Sequence, residues 1–299
     1  MNHDHHHIRA ASSMSSHRLL WAIILNFVIT LTELIGGVLA GSLSLISDAL
    51  HNFSDAVALI ISGVAVRIGN QPKTLRYTFG KKRAEILAAT VNAAVLVLIC
   101  FFLIKEAYLR FQHPELPSGM LMIAVGTIGF VANLIGTLLL HPHTHQNLNF
   151  RAAYLHLLSD AVSSAGVVLG GIAILWWSIY WIDPLITVLI ALYVLWESFN
   201  ILKRATDIMM MAAPESISLE DIGACIEAIP GVENVHHTHL WQMSEGALHF
   251  EAHIQVGDMS VRESEKILAA IEHELHHRFN ITHTTVQCEC GRCDSSSLI

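Results

Sequence analysis

Charged side chains are scarce in this 299-residue chain: Asp, Glu, Lys and Arg make up 14% of it, against 53% hydrophobic residues. A soluble globular domain carries about 25% charged residues, so the shortage excludes a chain that faces water along most of its length. Cysteine is also sparse, with five residues, four of them (Cys225, Cys288, Cys290, Cys293) in the last third. What is present instead is a set of six apolar runs, 19–40, 43–66, 84–104, 119–140, 152–177 and 179–201. Each meets the roughly 20 residues needed to cross the hydrocarbon core. They lie too close together, and too far into the chain, to be signal peptides.

Lys and Arg are missing from the first and fifth connections between these runs. Arg9 and Arg18 precede the first run, Arg67, Lys73, Arg76, Lys81, Lys82 and Arg83 fill the second connection, Arg151 the fourth, and Lys203 and Arg204 follow the sixth. The positive-inside bias therefore predicts cytoplasmic termini. After Arg204 the composition changes: from residue 207 onward there are 15 acidic residues, four basic ones and nine of the 20 histidines. This reads as a soluble acidic domain attracted to cations and not to nucleic acid. In a reducing cytoplasm its cysteines do not form a disulfide framework, which leaves metal binding or burial.

The soluble part reads α-β-β-α-β. Ser218 to Asp221 resembles a capping box opening a helix that ends near Pro230-Gly231, and Ser260 with Glu263 opens a second. Strands are expected over 235–243, 248–256 and about 284–288. In the middle one Leu248, Phe250, Ala252, Ile254 and Val256 alternate with His249, Glu251, His253 and Gln255. The second helix carries an apolar stripe of Ile267, Leu268, Ile271, Leu275 and Phe279. The order predicts a small open sheet with two helices on one face. The expected organisation is residues 1–18 as a His-rich cytoplasmic terminus, 19–206 as the membrane domain, 207–287 as the αββαβ domain and 288–299 as a Cys-rich tail.

One element occurs twice. His51-Asn52-Phe53-Ser54-Asp55-Ala56-Val57 and His156-Leu157-Leu158-Ser159-Asp160-Ala161-Val162 share the pattern H-x-x-S-D-A-V, in the second and fifth runs. An ionised Asp at the bilayer centre costs about 2.5–3.5 kcal/mol on insertion scales. The i, i+4 spacing puts each His and Asp on one helix face. Two such helices facing each other offer two nitrogens and two oxygens to one ion, the tetrahedral set zinc favours. A pair of structural His–Asp hydrogen bonds, or a proton relay without metal, stands beside that reading. Mixed imidazole and carboxylate donors suit zinc, cobalt or cadmium better than magnesium, calcium or manganese. Protons compete for imidazole near neutrality, which points to release by proton exchange. Asp48, one turn before His51, either orients a ligand, lines an access route or packs as a plain polar residue.

These residues, with Ser47-Asp48-Ala49-Leu50-His51-Asn52-Phe53-Ser54-Asp55, Arg76-Tyr77-Thr78-Phe79-Gly80-Lys81-Lys82-Arg83-Ala84-Glu85, Pro230-Gly231-Val232 and His236-His237-Thr238-His239-Leu240-Trp241, resemble the cation diffusion facilitators of the bacterial zinc-efflux type. The resemblance covers nearly the whole chain. It implies an α-helical membrane protein with six transmembrane helices in the bacterial inner membrane, plus a ferredoxin-like, metallochaperone-like cytoplasmic α+β domain. It also implies a homodimer, alternating access, and zinc export against inward proton flow. It marks His236, His253 and Glu289 as ligands of a cytoplasmic metal site, with Glu265 where some members carry a His. The stretch 74–81 lacks the His and Asp of a further site that some members have there.

Cys288, Cys290 and Cys293 form a C-x-C-x-x-C tail that is either a zinc-binding thiolate set or a frayed end with free thiols. His3, His5, His6 and His7, and His141, His143 and His145, are either metal-gathering or solvated. His273-Glu274-Leu275-His276-His277 matches the H-E-x-x-H pattern of zinc proteases. A membrane-anchored protease using His273, Glu274 and His277 is therefore one alternative, and a membrane-anchored metal sensor another. Against the protease, Ile271 and Leu275 take the core face, which turns His273 and His277 toward solvent. Against both, a mere anchor has no need of His and Asp in two matching spans. If His51 and His156 are ligands, replacing either by Asp should relax the preference for zinc and admit cadmium or harder ions in metal-competition flux assays. Unchanged selectivity in both variants would show that these imidazoles do not touch the ion.

Overall fold

The computed structural model describes residues 16–141, 148–244, 246–291 and 297–298. His3, His5, His6, His7, His143, His145 and Cys293 lie outside the described residues. The chain divides into two compact units, Met1–Ile61 with Asn92–Phe199 and Ser62–Val91 with Asn200–Ile299.

Six helices come first: α1 (Ser16–Ala40), α2 (Leu43–Gly69), α3 (Ala84–Gln112), α4 (Gly119–Leu140), α5 (Leu148–Trp177) and α6 (Ile182–Met209). Among the described residues five helical stretches are long and apolar enough to cross a membrane, in α2 to α6, and α1 adds the shorter apolar helix Asn26–Ala40. The expected sixth run, 179–201, is displaced at both ends. Its start is taken up by the turn after α5, where Ser178 adopts φ 56°, and α6 continues helically through Lys203 and Arg204 to Met209.

In the first unit, close backbone approach sets the packing of α4 on α5. A Cβ on Gly119 would meet the Gly171 carbonyl oxygen at 2.5 Å, and one on Gly171 would meet that of Gly119 at 2.9 Å. Small residues at such crossings let apolar helices gain dispersion contact where lipid offers no hydrophobic drive. A second tie is polar. Asp183, 1% exposed at the start of α6, sits on the N-terminus of α2. Its Oδ1 accepts from the Ser42 and Ser44 hydroxyls at 2.6 Å each and from the Ser44 N–H at 3.2 Å, and its Oδ2 accepts from the Leu43 N–H at 2.8 Å. An anion there satisfies orphan backbone donors and meets the positive end of the helix dipole. Arg110 of α3 completes the cluster: its Nη1 donates to the Gly41 carbonyl at 2.6 Å and lies 3.9 Å from Asp183 Oδ2.

In the second unit α7 (Leu219–Glu227), β1 (Val232–Ser244), β2 (Ala247–Val256), α8 (Val261–Phe279) and β3 (Ile281–Glu289) follow the expected αββαβ order. The sheet order is β1-β2-β3. β1 and β2 form an antiparallel hairpin, and β2 and β3 pair in parallel across the α8 crossover. β1 and β3 run longer than their apolar alternation indicated, because register pairing continues through their polar ends. The expected inward set of β2 is buried with Ile222 and Ile226 of α7 and Ile267, Ile271 and Leu275 of α8. Glu263 Oε2 accepts from the Ser260 N–H at 2.8 Å and from its hydroxyl at 2.7 Å, closing the predicted box. At α7 the Ser218 hydroxyl accepts from the Asp221 N–H at 3.2 Å.

Replacing Asp183 by Ala strips the acceptor from two hydroxyls and two backbone N–H groups. At about 1–3 kcal/mol for each buried donor left unpaired, it should destabilise the helical unit by at least about 3 kcal/mol, read as a lowered thermal midpoint of the purified protein. An unshifted midpoint would show that water replaces the carboxylate.

Candidate functional site

The duplicated element brings its four residues together. His51 and Asp55 project from α2, and His156 and Asp160 from α5, each pair one turn apart. His51 Nε2 lies 3.6 Å from Asp55 Oδ2 and 3.6 Å from Asp160 Oδ1; His156 Nε2 lies 3.5 Å from Asp55 Oδ2 and 3.6 Å from Asp160 Oδ2. These are too long for N–H···O hydrogen bonds, which run to about 3.2 Å. They match four of the six roughly 3.3–3.6 Å edges of a tetrahedron drawn with zinc–ligand bonds of about 2.0–2.2 Å. Asp160 turns a different oxygen to each imidazole, and no three of the four residues bring donors within 4.8 Å of one another, so the ring is more open than a closed tetrahedron. The imidazole centroids are 6.2 Å apart. Buried Asp55 Oδ2, Asp160 Oδ1 and His51 Nδ1 make no hydrogen bond. The geometry therefore disfavours two structural His–Asp hydrogen bonds and fits a cation that draws the four donors inward. The ring has a closed and an open side: the His51 and Asp160 side chains are each 6% exposed, whereas His156 is 42% exposed. A cavity of about 380 Å³ reaches it between α5 and α6, lined by His51, Asp160, Ser163, Ile186, Ile190 and Tyr193 among others.

Asp48 resolves as polar packing. Its Oδ1 accepts from the Ser163 hydroxyl at 2.6 Å and its Oδ2 from that of Ser164 at 2.8 Å, so it joins α2 to α5 and makes no hydrogen bond to His51. Glu33, a fully buried acid of α1 that sequence reasoning passed over, accepts from Asn52 Nδ2 at 3.0 Å. Gly129 of α4 leaves the room it needs, since a Cβ there would collide with Glu33 Oε1. The available signal was an acid within an apolar run.

A second donor group sits on the sheet. His236 and His253 are register partners on β1 and β2, and Glu289 ends β3 opposite Gln255. His236 Nε2 lies 3.4 Å from Glu289 Oε2, and His253 Nδ1 lies 3.1 Å from Glu289 Oε1. One donor atom from each of the three falls within 4.8 Å of the others, a condition that no other described group of three meets. By that measure the membrane tetrad is the looser of the two. Asn234 Oδ1 is 3.1 Å from His236 Nδ1; with Nδ1 donating, the Nε2 lone pair faces Glu289. His236 Nε2 and His253 Nδ1 are buried without hydrogen bonds, as expected of atoms prepared for a cation. Gln287 Nε2 donates to Glu289 Oε1 at 2.7 Å, the kind of outer contact that holds a ligating carboxylate. Asn234 and Gln287 carry no motif and emerge only from the register.

The remaining candidates among the described residues do not join these groups. Cys288 packs against the core of the sheet domain, and burial pushes its thiol up. Cys290 is exposed. His273 and His277 stand on the exposed face of α8 with ring centroids 6.1 Å apart, and Glu274 pairs with Arg278 at 2.7 Å. Glu265 lies on the same helix and enters no three-donor group among the described residues.

The profile described as the cation efflux transmembrane domain matches residues 19–210, and that of the cation efflux protein cytoplasmic domain matches residues 214–290. A Bacillus subtilis protein named cadmium, cobalt and zinc/H(+)-K(+) antiporter is 40% identical over 86% of this chain and 83% of its own length. The zinc transporter ZitB of Escherichia coli is 35% identical over 98% of this chain and 94% of its own. The metal cation efflux system protein CzcD of Cupriavidus metallidurans is 34% identical over 99% and 93%. Among solved structures, the metal-bound C-terminal domain of the CzcD transporter is 30% identical over 24% of this chain and 99% of that one, with a TM-score of 0.23. The relatives are transporters, which sets aside the protease built on His273, Glu274 and His277. With both profiles matched in order along nearly all of its length, this integral membrane chain belongs to the cation efflux (cation diffusion facilitator) family.

Proposed function

We propose that the protein exports a divalent cation from the cytoplasm, with zinc as first substrate and cadmium or cobalt as further ones, by proton-coupled alternating access through His51, Asp55, His156 and Asp160. The observation that carries this reading is the set of four nitrogen–oxygen separations of 3.5–3.6 Å, built from one repeated element on two helices. The names of the relatives support the ion class, and one of them names proton exchange. A proton that binds an imidazole removes the lone pair a metal needs, so proton entry at the tetrad is also a means of metal release.

The same reading takes α1 to α6 as six spans, 19–206 as the membrane domain, and both termini as cytoplasmic. The protein then works as a homodimer in the bacterial inner membrane, for which the match to the cytoplasmic domain of cation efflux proteins is the support. His236, His253 and Glu289 hold a regulatory zinc ion in the 207–287 domain, with the 288–299 tail beyond it. The donor set, two nitrogens and a carboxylate, suits zinc and leaves a corner open for a further ligand.

Zinc should enter proteoliposomes whose interior is more acidic than the medium, and collapsing the gradient should stop it. Asp55→Ala should lower the flux by more than the roughly 10–100-fold typical of losing an outer contact to a ligand, whereas Glu274→Gln should leave it unchanged. Intact flux in Asp55→Ala would end the proposal. For the cytoplasmic site, His236→Ala and His253→Ala should lower the zinc stoichiometry read by calorimetry while only modulating transport. Wild-type stoichiometry in both variants would remove these residues from the ligand set.

A further inference from the structure

Two histidines of the second unit belong to neither group of donors. His249 and His283 are register partners on β2 and β3, and their ring centroids are 4.7 Å apart. Trp241 of β1 stacks on His249 at 5.6 Å with an interplanar angle of 27°. The other side is covered from the connection between α2 and α3. The Phe79 ring stands edge-on to His249 at 5.6 Å and to His283 at 6.4 Å. His249 is 7% exposed and its buried Nδ1 makes no hydrogen bond.

The connection is shaped to present that ring. The Thr74 and Gly80 N–H groups both donate to the Tyr77 carbonyl, at 3.2 and 2.9 Å, and Gly80 takes φ +81°, a conformation open to glycine. Arg76 and Lys81 turn onto the Tyr77 ring. Lys73 and Lys82 act on His249, as does His283. The acid on this face of β2, Glu251, is paired in register with His239 and Thr285. The environment therefore favours uncharged imidazole: burial first, then His283, Lys82 and Lys73, hold the His249 ring below its ordinary value.

We propose that Phe79, His249 and His283 form a proton-sensitive latch, in which the neutral His249 imidazole holds the α2–α3 connection on the sheet and its protonation releases it. The sign follows from linkage. A histidine whose value is lowered on docking stabilises the docked state fully above its undocked value, near 6.5, and loses that contribution as pH falls below it. α2 also carries His51 and Asp55, so the latch is a route by which cytoplasmic acidification reaches a helix of the tetrad. It does not depend on either donor group binding metal.

Hydrogen exchange of the full-length protein in lipid nanodiscs tests this, with rates corrected for the intrinsic effect of pH and β2 amides as the internal standard of sheet integrity. Protection of residues 74–83 in the wild type should fall several-fold between about pH 8 and pH 5.5, and stay level above about pH 7.5. His249→Phe, which keeps a ring in place without a charge, should stay protected at both pH values, and Phe79→Ala should be unprotected at both. His283→Phe serves as the second variant should β2 exchange report a disturbed sheet in the first. Wild-type protection that ignores pH, or a His249→Phe variant that follows the wild-type profile, would overturn the latch. Protection that responds to added zinc through His249, and not to pH, would overturn it in favour of a metal site.

Discussion

The cost of an ionisable group in hydrocarbon governs this molecule. Such a group persists only with partners, and the described helices show two ways of supplying them. Asp183 is satisfied by two serine hydroxyls and two backbone N–H groups, and Asp48 by two serines, all at 2.6–3.2 Å. Glu33 takes its hydrogen bond from an asparagine amide. The hydrogen bonds to these acids come from neutral donors, with Arg110 also 3.9 Å from Asp183, and they join helices. Asp55 and Asp160 instead face imidazole nitrogens at 3.5–3.6 Å, and one buried oxygen of each, Asp55 Oδ2 and Asp160 Oδ1, accepts no hydrogen bond. The acids of the bundle thus include two bonded through both oxygens, Asp48 and Asp183, and three with a buried oxygen that accepts no hydrogen bond, Glu33, Asp55 and Asp160.

The sheet domain repeats the distinction in water. The His273–His277 pair on α8 is conspicuous in sequence and solvated in structure, with Glu274 engaged by Arg278. The His236–His253–Glu289 group draws one residue from each strand, and its facing nitrogens, His236 Nε2 and His253 Nδ1, are buried without hydrogen bonds.

Much of this was legible from the chain. Helical spans follow from apolar length, and the tetrad from an i, i+4 pattern occurring twice, because both signals are local. The αββαβ order and the inward set of β2 followed from periodicity. Asn234, Gln287 and the Ser163–Ser164 pair were not legible, since their roles depend on strand register and helix facing, which are long-range. Glu33 stood in plain view as an acid in an apolar run, but without the paired His that drew attention to Asp55. The roles open to Asp48 could be narrowed only by seeing its partners. The start of α6 was misplaced because apolar residues resume directly after Ser178, within the turn.

Asp55 Oδ2 lies within 3.6 Å of both imidazoles, one on its own helix and one on the other. The four donors therefore form a single ring and not two independent pairs. Each helix carries its nitrogen and its oxygen at a fixed spacing, so a displacement of either helix withdraws two donors in the same movement. Retention of a bound ion would then vary steeply with helix position, because chelation depends on both arms being within reach. A shift of about one bond length would suffice to turn a holding site into a releasing one, with no change in the chemistry of any ligand.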